Sequence, residues 1–103
     1  MILRRSHPND KSIVVARTIT VQNELGLHAR PAAVFVRVAN RFRSEITLIK
    51  GEQRFSASSL IDVLRANLDR GATAMLEARG ADAEAAIARL EELLIEFRDR
   101  KED

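Results

Sequence analysis

The sequence predicts an α+β domain in which four mainly antiparallel strands form a sheet covered on one face by three helices. Apolar and polar residues alternate in four short segments, as in half-buried strands, and recur every three to four residues in three others, as in helices. These segments follow one another in the order β-α-β-β-α-β-α, which is typical of small domains with one buried sheet face. A chain of 103 residues has room for one such domain, placed at residues 13–103.

The first strand is predicted over residues 13–22, where Ile19 and Val21 alternate with threonines and β-branched side chains favour a sheet. A loop with Gly26 separates it from an amphipathic helix that runs from Ala29 to Asn40 or Arg41. The apolar residues that define the buried stripe of this helix are Ala32, Phe35, Val36 and Ala39.

Residues 45–50 and 53–56 are predicted to form a hairpin, since two short alternating segments flank a turn that contains glycine. The second helix is expected to begin at Ser59, a favoured N-cap residue, with Asp62 three positions later as a weaker form of the capping box. Asn67 is predicted to end it, because asparagine tolerates the left-handed conformation better than most residues.

Residues 73–79 alternate again and are predicted to be the last strand, which Gly80 ends. Asp82 is expected to cap the last helix, and Glu96 and Arg100 to form an ion pair near its end. The predicted buried stripe of this helix consists of Ala83, Ala86, Ile87, Leu90, Leu93, Leu94 and Phe97.

Composition excludes several classes of protein. The chain has no cysteine, which rules out disulfides, thiolate metal sites and cysteine nucleophiles, and the sequence predicts no metal site or cofactor. No segment approaches the roughly 20 apolar residues of a membrane span, so no membrane insertion is expected and the predicted location is the cytoplasm. Residues 1–12, with His7 and Pro8, lack the apolar core of a signal peptide and are expected to form a flexible extension.

Charge is distributed unevenly along the chain. Residues 1–43 contain eight Lys or Arg against two Asp or Glu, whereas residues 44–103 contain nine against thirteen. Such a split favours an anionic ligand or an acidic partner near the first half. The alternative is a chance spread of charges over opposite faces of the domain.

The candidate site is at residues 26–31, where a histidine stands at the passage from loop to helix. The first N–H groups of a helix have no partner within it, and the helix dipole adds positive potential there. His28, the backbone N–H groups of Ala29 and Arg30, and the Arg30 guanidinium would therefore converge on one anion. The alternative is an ordinary residue at a helix start beside a solvated arginine.

The sequence Gly-Leu-His-Ala-Arg-Pro-Ala at residues 26–32 resembles the active-site signature of the HPr family, the histidine-containing phosphocarriers of the bacterial phosphoenolpyruvate-dependent phosphotransferase system. The resemblance extends over roughly residues 15–97 and implies the open-faced β-sandwich of that family. It implies that His28 accepts a phosphoryl group on Nδ1 from enzyme I, charged by phosphoenolpyruvate, and passes it to an EIIA component. Arg30 matches the arginine that assists transfer. The chain would then be a carrier, not a stand-alone enzyme.

The same resemblance implies a second modified residue. Ser59 matches the serine that a dedicated kinase, the HPr kinase/phosphorylase, modifies in many members of the family. The alternative is that Ser59 acts only as an N-cap, which needs no regulation to explain it. Ser58 is a neighbouring serine that could be confused with it.

Partner docking is expected around His28 and along the second helix. Asp62 places a negative charge where members of the family often carry other residues, so a nitrogen-type or otherwise regulatory carrier remains an alternative to sugar transport. The protein is expected to be a monomer. The predicted docking residues are Leu27, Ala29, Ala33, Arg37, Leu60, Ile61 and Leu64.

A nucleic-acid-binding module is the alternative from a different class, because the first half is rich in arginine. Such modules usually stack bases on exposed aromatic side chains. This chain has only four Phe and no Trp or Tyr, and Phe35 and Phe97 are predicted to be buried. No nucleic-acid partner is therefore expected.

Overall fold

The structure is a computed structural model that describes residues 13–100. The predicted extension at residues 1–12, including His7, lies outside the described residues. The elements are β1 (Val14–Thr20), α1 (Ala29–Ala39), β2 (Glu45–Lys50), β3 (Gln53–Ser56), α2 (Leu60–Arg65), β4 (Thr73–Arg79) and α3 (Ala83–Arg100). The predicted fold class and element order are confirmed.

The four strands form one sheet in the order β1-β4-β2-β3, and each neighbouring pair is antiparallel. The register brings inward-facing apolar residues side by side. Ile19 pairs with Ala74, and Leu48 pairs with Leu76 on one side and Phe55 on the other. All five are buried, which gives the sheet one continuous apolar face.

The helices cover this apolar face. Helix α1 packs against α2 and α3, and α3 packs against β1 and β4. All seven residues of the predicted stripe on α3 are buried, as expected from their helical spacing. On α1, however, Val38 is buried and Val36 only half-buried. Val38 lies three residues after Phe35, so it falls nearer the centre of the buried stripe.

The start of α2 has the predicted N-cap. Ser59 has an extended backbone, and its hydroxyl accepts a hydrogen bond from the N–H of Asp62 at 3.2 Å. The carboxylate of Asp62 does not complete a standard capping box, because it accepts from the N–H of Ser56 at 3.0 Å. Asp62 therefore connects the end of β3 to the first turn of α2.

Replacement of Ser59 by Ala should lower the free energy of unfolding by about 1 kcal/mol, because the N–H of Asp62 loses its acceptor. Urea unfolding at neutral pH measures the effect. The matched control is Ser58→Ala, since Ser58 is exposed and its hydroxyl only exchanges a hydrogen bond with Ser56 Oγ. Equal losses in the two variants would contradict the capping role of Ser59.

The end of α2 is fixed by two groups. Asn67 has φ 57°, as predicted, and lies in the left-handed region. The ammonium group of Lys50 donates to the carbonyl oxygens of Ala66 and Asn67, at 3.1 and 2.9 Å. A cation that donates to the last carbonyls of a helix stabilises its C-terminal end. The loop after α2 therefore starts from a defined position.

Asp82 stands directly before α3, where the sequence places it, but its carboxylate does more than cap that helix. It accepts hydrogen bonds from the N–H groups of Arg43 and Ser44, at 2.8 and 2.9 Å, and from the Ser44 hydroxyl. Partial burial acts to raise the pKa of Asp82, but these hydrogen bonds outweigh it and lower the pKa below the usual value of an aspartate. Asp82 thus connects the loop between α1 and β2 to the start of α3.

The exposed face of α3 carries ion pairs that differ from the predicted one. Glu96 pairs with Arg89 at 3.0 Å, and Arg89 also contacts Glu92 at 2.6 Å. The predicted partner Arg100 is exposed at the last position of the helix.

Within residues 13–100, no helix is long and apolar enough to cross a lipid bilayer.

Candidate functional site

His28 is the N-cap residue of α1. Its backbone is extended, with φ −86° and ψ −166°, and its carbonyl accepts the first helical hydrogen bond from the N–H of Ala32 at 2.8 Å. The ring is half-buried, and Nε2 exposes less than 1 Å². Protein atoms therefore cover Nε2, and the ring stands at the N-terminal end of α1.

The loop before His28 is held by hydrogen bonds on both sides. Asn23 is buried, and its side-chain amide donates to the carbonyl of Gly26, whose own N–H donates to the Asn23 carbonyl at 3.0 Å. The N–H of Leu27 donates to the carbonyl of Leu68 at 2.8 Å. These bonds fix the residues that lead into His28. Sequence reasoning missed Asn23, because a polar residue in a loop gives no sign that it is buried.

The first turn of α1 offers donors to an anion. No described residue accepts a hydrogen bond from the N–H of Ala29 or Arg30, and Pro31 has no N–H. The side chain of His28 does not cap the helix, and the first turn contains no acidic residue. The Arg30 guanidinium is exposed and forms no ion pair within residues 13–100. The predicted convergence of donors beside His28 is therefore compatible with this geometry.

A cavity of about 230 Å³ lies beside His28, between the start of α1 and the loop after α2. Its position explains how the second half of the chain contributes to the site, because the turn at Asn67 places residues 67–69 opposite the histidine. The residues that line the cavity are Leu25, Leu27, His28, Ala29, Leu64, Asn67, Leu68 and Asp69.

Exposed apolar side chains surround this cavity and continue along α2. Leu60, Ile61 and Leu64 are exposed, with Ile61 the most accessible at 69%. Leu25 is exposed as well and lines the cavity beside Leu64. The sequence analysis missed Leu25, although an apolar residue in the loop before the histidine was the available signal. These four residues form an apolar patch at the site.

The remaining predicted docking residues differ in their exposure. Ala29 and Arg37 are exposed and Ala33 is half-buried, so each presents surface on α1. Leu27 is only 4% exposed and belongs to the hydrophobic core, although it also lines the cavity beside His28. Asp62 is half-buried, and its carboxylate accepts a hydrogen bond from the N–H of Ser56.

Ser59 does not belong to the His28 cavity. It lies at the N-terminal end of α2, whereas Leu64 and Asn67 bring the C-terminal end of that helix to the cavity. Six helical residues span about 9 Å, so roughly the length of α2 separates Ser59 from the end of the helix that lines the cavity.

Neither a metal site nor the second cavity among residues 13–100 competes with the site at His28. No group of three or more His, Cys, Asp or Glu in that range could hold a metal ion. A larger cavity, of about 280 Å³, lies between β1 and α3. It contains none of the predicted site residues, so its size does not make it the candidate site.

Comparison with known proteins supplies the decisive observation. A family model described as the PTS HPr component phosphorylation site matches residues 15–96. The chain belongs to the HPr family. Over 71 residues it is 41% identical to phosphocarrier protein NPr of Shewanella violacea, covering 69% of this chain and 78% of that protein. Over 80 residues it is 38% identical to phosphocarrier protein HPr of Treponema pallidum, covering 78% and 91%.

Solved HPr structures agree with this assignment. The crystal structure of HPr from Bacillus anthracis matches with a TM-score of 0.75 and 32% identity, covering 78% of this chain and 95% of that one. The four-stranded antiparallel sheet with three helices is therefore the open-faced β-sandwich of the HPr family. Family membership makes the chain a phosphocarrier protein of the phosphotransferase system.

Proposed function

We propose that this HPr-family protein carries a phosphoryl group on Nδ1 of His28, accepting it from enzyme I charged by phosphoenolpyruvate and passing it to an EIIA protein. The observation that carries the proposal is the position of His28. Its ring stands at the N-terminal end of α1 with Nε2 covered, beside two N–H groups to which no described residue is bound. Of the two histidines in the chain, His28 is the one in the family motif.

The transfer step needs a nucleophile and a place for the negative charge. The Nδ1 lone pair of His28 attacks phosphorus, and an N–P bond forms while the bond from phosphorus to the donor breaks, its electron pair leaving with the donor. Charge on the three phosphoryl oxygens then faces the N–H groups of Ala29 and Arg30. The Arg30 guanidinium adds charge-assisted hydrogen bonds. Transfer to EIIA reverses these changes.

Partner recognition is proposed to use two adjoining surfaces. The first is basic and lies on α1, where Arg30 and Arg37 are exposed around Ala33. The second is the apolar patch that contains Ile61 and Leu64. Together they suit a partner surface that has acidic groups around an apolar centre. Such contacts are exchanged at each transfer, because a carrier must leave one partner before it meets the next.

Incubation with enzyme I and phosphoenolpyruvate tests the role of His28. The wild-type chain should gain one acid-labile phosphoryl group, and His28→Ala should gain none because the nucleophile is missing. His7→Ala is the matched control, since it removes the other histidine and should be labelled like the wild type. Intact mass measurement gives the stoichiometry, and circular dichroism checks the fold. An unlabelled wild type, or undiminished label in His28→Ala, would falsify the proposal.

The type of EIIA protein that accepts the phosphoryl group tests whether this carrier belongs to a sugar-transport or a nitrogen-type phosphotransferase system. Relatives named NPr and HPr match at 41% and 38% identity, which supports the two branches about equally. Incubation of the phosphorylated chain with a sugar-type and a nitrogen-type EIIA, in separate reactions, should show faster transfer to the cognate one. The genes beside the coding sequence offer an independent indication.

Phosphorylation of Ser59 is proposed as a second, regulatory modification. It is supported by the family motif and by the location of the hydroxyl at a helix start, where a phosphate meets favourable potential. An HPr kinase/phosphorylase with ATP should label the wild type and Ser58→Ala but not Ser59→Ala. Loss of the label in Ser58→Ala, with label retained in Ser59→Ala, would contradict this assignment.

A further inference from the structure

Asp69 lies in the loop between α2 and β4 and lines the same cavity as His28. Its position is fixed by the backbone around it. The left-handed turn at Asn67 precedes it, and Gly26 packs so closely that a Cβ there would come within 2.8 Å of the Asp69 Cα. The hydrogen bond from Leu27 N–H to the Leu68 carbonyl connects the same two loops. Asp69 is therefore held beside the residues that lead into His28.

The Asp69 side chain contributes an isolated negative charge to the cavity. Among the described lining residues it is the single carboxylate, and most of the others are apolar. Within residues 13–100 its carboxylate forms no hydrogen bond or ion pair, and the residue is exposed. A structural role in capping or pairing does not account for an acidic side chain at this place.

We propose that Asp69 sets the phosphoryl-transfer potential of His28 by raising the free energy of the phosphorylated form, an inference that rests on the proposed function. A bound phosphoryl group brings about two negative charges into the cavity. Arg30 and the start of α1 attract these charges, whereas Asp69 repels them. The opposition keeps phosphohistidine from becoming too stable to be passed on. Asp69 is thus a tuning residue that acts through the field at His28.

The equilibrium with phosphoenolpyruvate measures this effect directly. In the overall reaction the phosphoryl group moves from phosphoenolpyruvate to Nδ1 of His28, and the enolate left behind takes up a proton and becomes pyruvate. With a catalytic amount of enzyme I and a fixed ratio of phosphoenolpyruvate to pyruvate, the ratio of phosphorylated to free chain reports the relative free energy. Since enzyme I is only a catalyst, altered docking changes the rate but not this ratio.

Asp69→Asn should raise the ratio of phosphorylated to free chain about threefold to tenfold, because the repelling charge is removed while the shape is kept. Asp69→Glu should restore a value within about twofold of the wild type. Glu52→Gln is the control, since it removes an exposed carboxylate in the turn between β2 and β3, outside the cavity. High salt should reduce the difference between Asp69→Asn and the wild type, because exposed charges are screened.

The outcomes distinguish the proposed role of Asp69 from the proposed function of His28 as the phosphoryl carrier. If the wild type is labelled at His28 but Asp69→Asn has the wild-type ratio or a lower one, the role of Asp69 is wrong and the proposed function stands. An equal rise in Glu52→Gln, or a difference that persists undiminished at about 1 M salt, also overturns a local charge effect. If the wild type is not labelled, the proposed function fails first, and the role of Asp69 fails with it.

Discussion

Gly26→Ala is expected to lower the free energy of unfolding by about 2–5 kcal/mol, combining left-handed strain with overpacking. Gly26 has φ 72°, and an added Cβ would lie 2.6 Å from the Leu68 carbonyl oxygen and 2.8 Å from the Asp69 Cα. Both neighbours are backbone atoms, so the clash can be relieved only by moving one loop away from the other. Because these loops enclose the His28 cavity, the variant should also accept phosphoryl groups more slowly.

Gly51→Ala is the matched control for this prediction. Gly51 also has a positive φ, 63°, but a Cβ there would meet nothing within 4 Å. Its free energy of unfolding should fall by only about 1–2 kcal/mol, the cost of placing a Cβ in the left-handed conformation. Its rate of phosphorylation should equal that of the wild type. Urea unfolding and a timed labelling reaction with enzyme I measure the two effects. If Gly26→Ala behaves like Gly51→Ala in both, close packing against residues 68 and 69 is unimportant.

Asp82→Ala should lower the free energy of unfolding at pH 7 by about 2–4 kcal/mol, because three donors lose a charged acceptor. The effect should depend on pH. The folded-state pKa of Asp82 is lowered, so its contribution is fully present above the pKa of the unfolded chain and is lost as pH falls through the lower folded value. The wild type should therefore approach the variant in stability only in acid, below about pH 4.

Urea unfolding from neutral to acidic pH checks the prediction for Asp82. Asp82→Asn provides a second variant of nearly the same shape, which should show a smaller loss at pH 7 and the same flattening in acid. Glu52→Gln, at an exposed position in the hairpin turn, is the control for removal of a charge. A constant difference between Asp82→Ala and the wild type down to pH 2 would show that the ionised carboxylate is not what stabilises the fold.

Periodicity predicted the elements well because each is determined mainly by its own side chains. The stripe on α3 contains enough large apolar residues to fix the orientation of the helix, and its predicted members are all buried. On α1 one member of the stripe was misassigned, because Val38 is buried and the predicted Val36 is only half-buried. This helix is short and apolar on several sides, so its rotation is decided by packing against α2 and α3.

Contacts between distant segments could not be predicted from the chain alone. Asp82 was expected at a helix start, but nothing local shows that Arg43 and Ser44 lie within reach of its carboxylate. Leu27 was predicted as a docking residue, but the fold buries its side chain, and Asp69 was not singled out at all. The motif predicted which residue stands at the helix start, and the fold determined what surrounds it.

The hydrogen bond between Leu27 and Leu68 has a consequence for synthesis of the protein. It joins the loop before α1 to a loop that follows α2, so the cavity beside His28 requires both halves of the chain. A nascent polypeptide that has emerged only as far as β2 would contain the histidine without its surroundings. Such long-range closure comes late in folding. Competence to carry a phosphoryl group would then report that the two loops around His28 have come together.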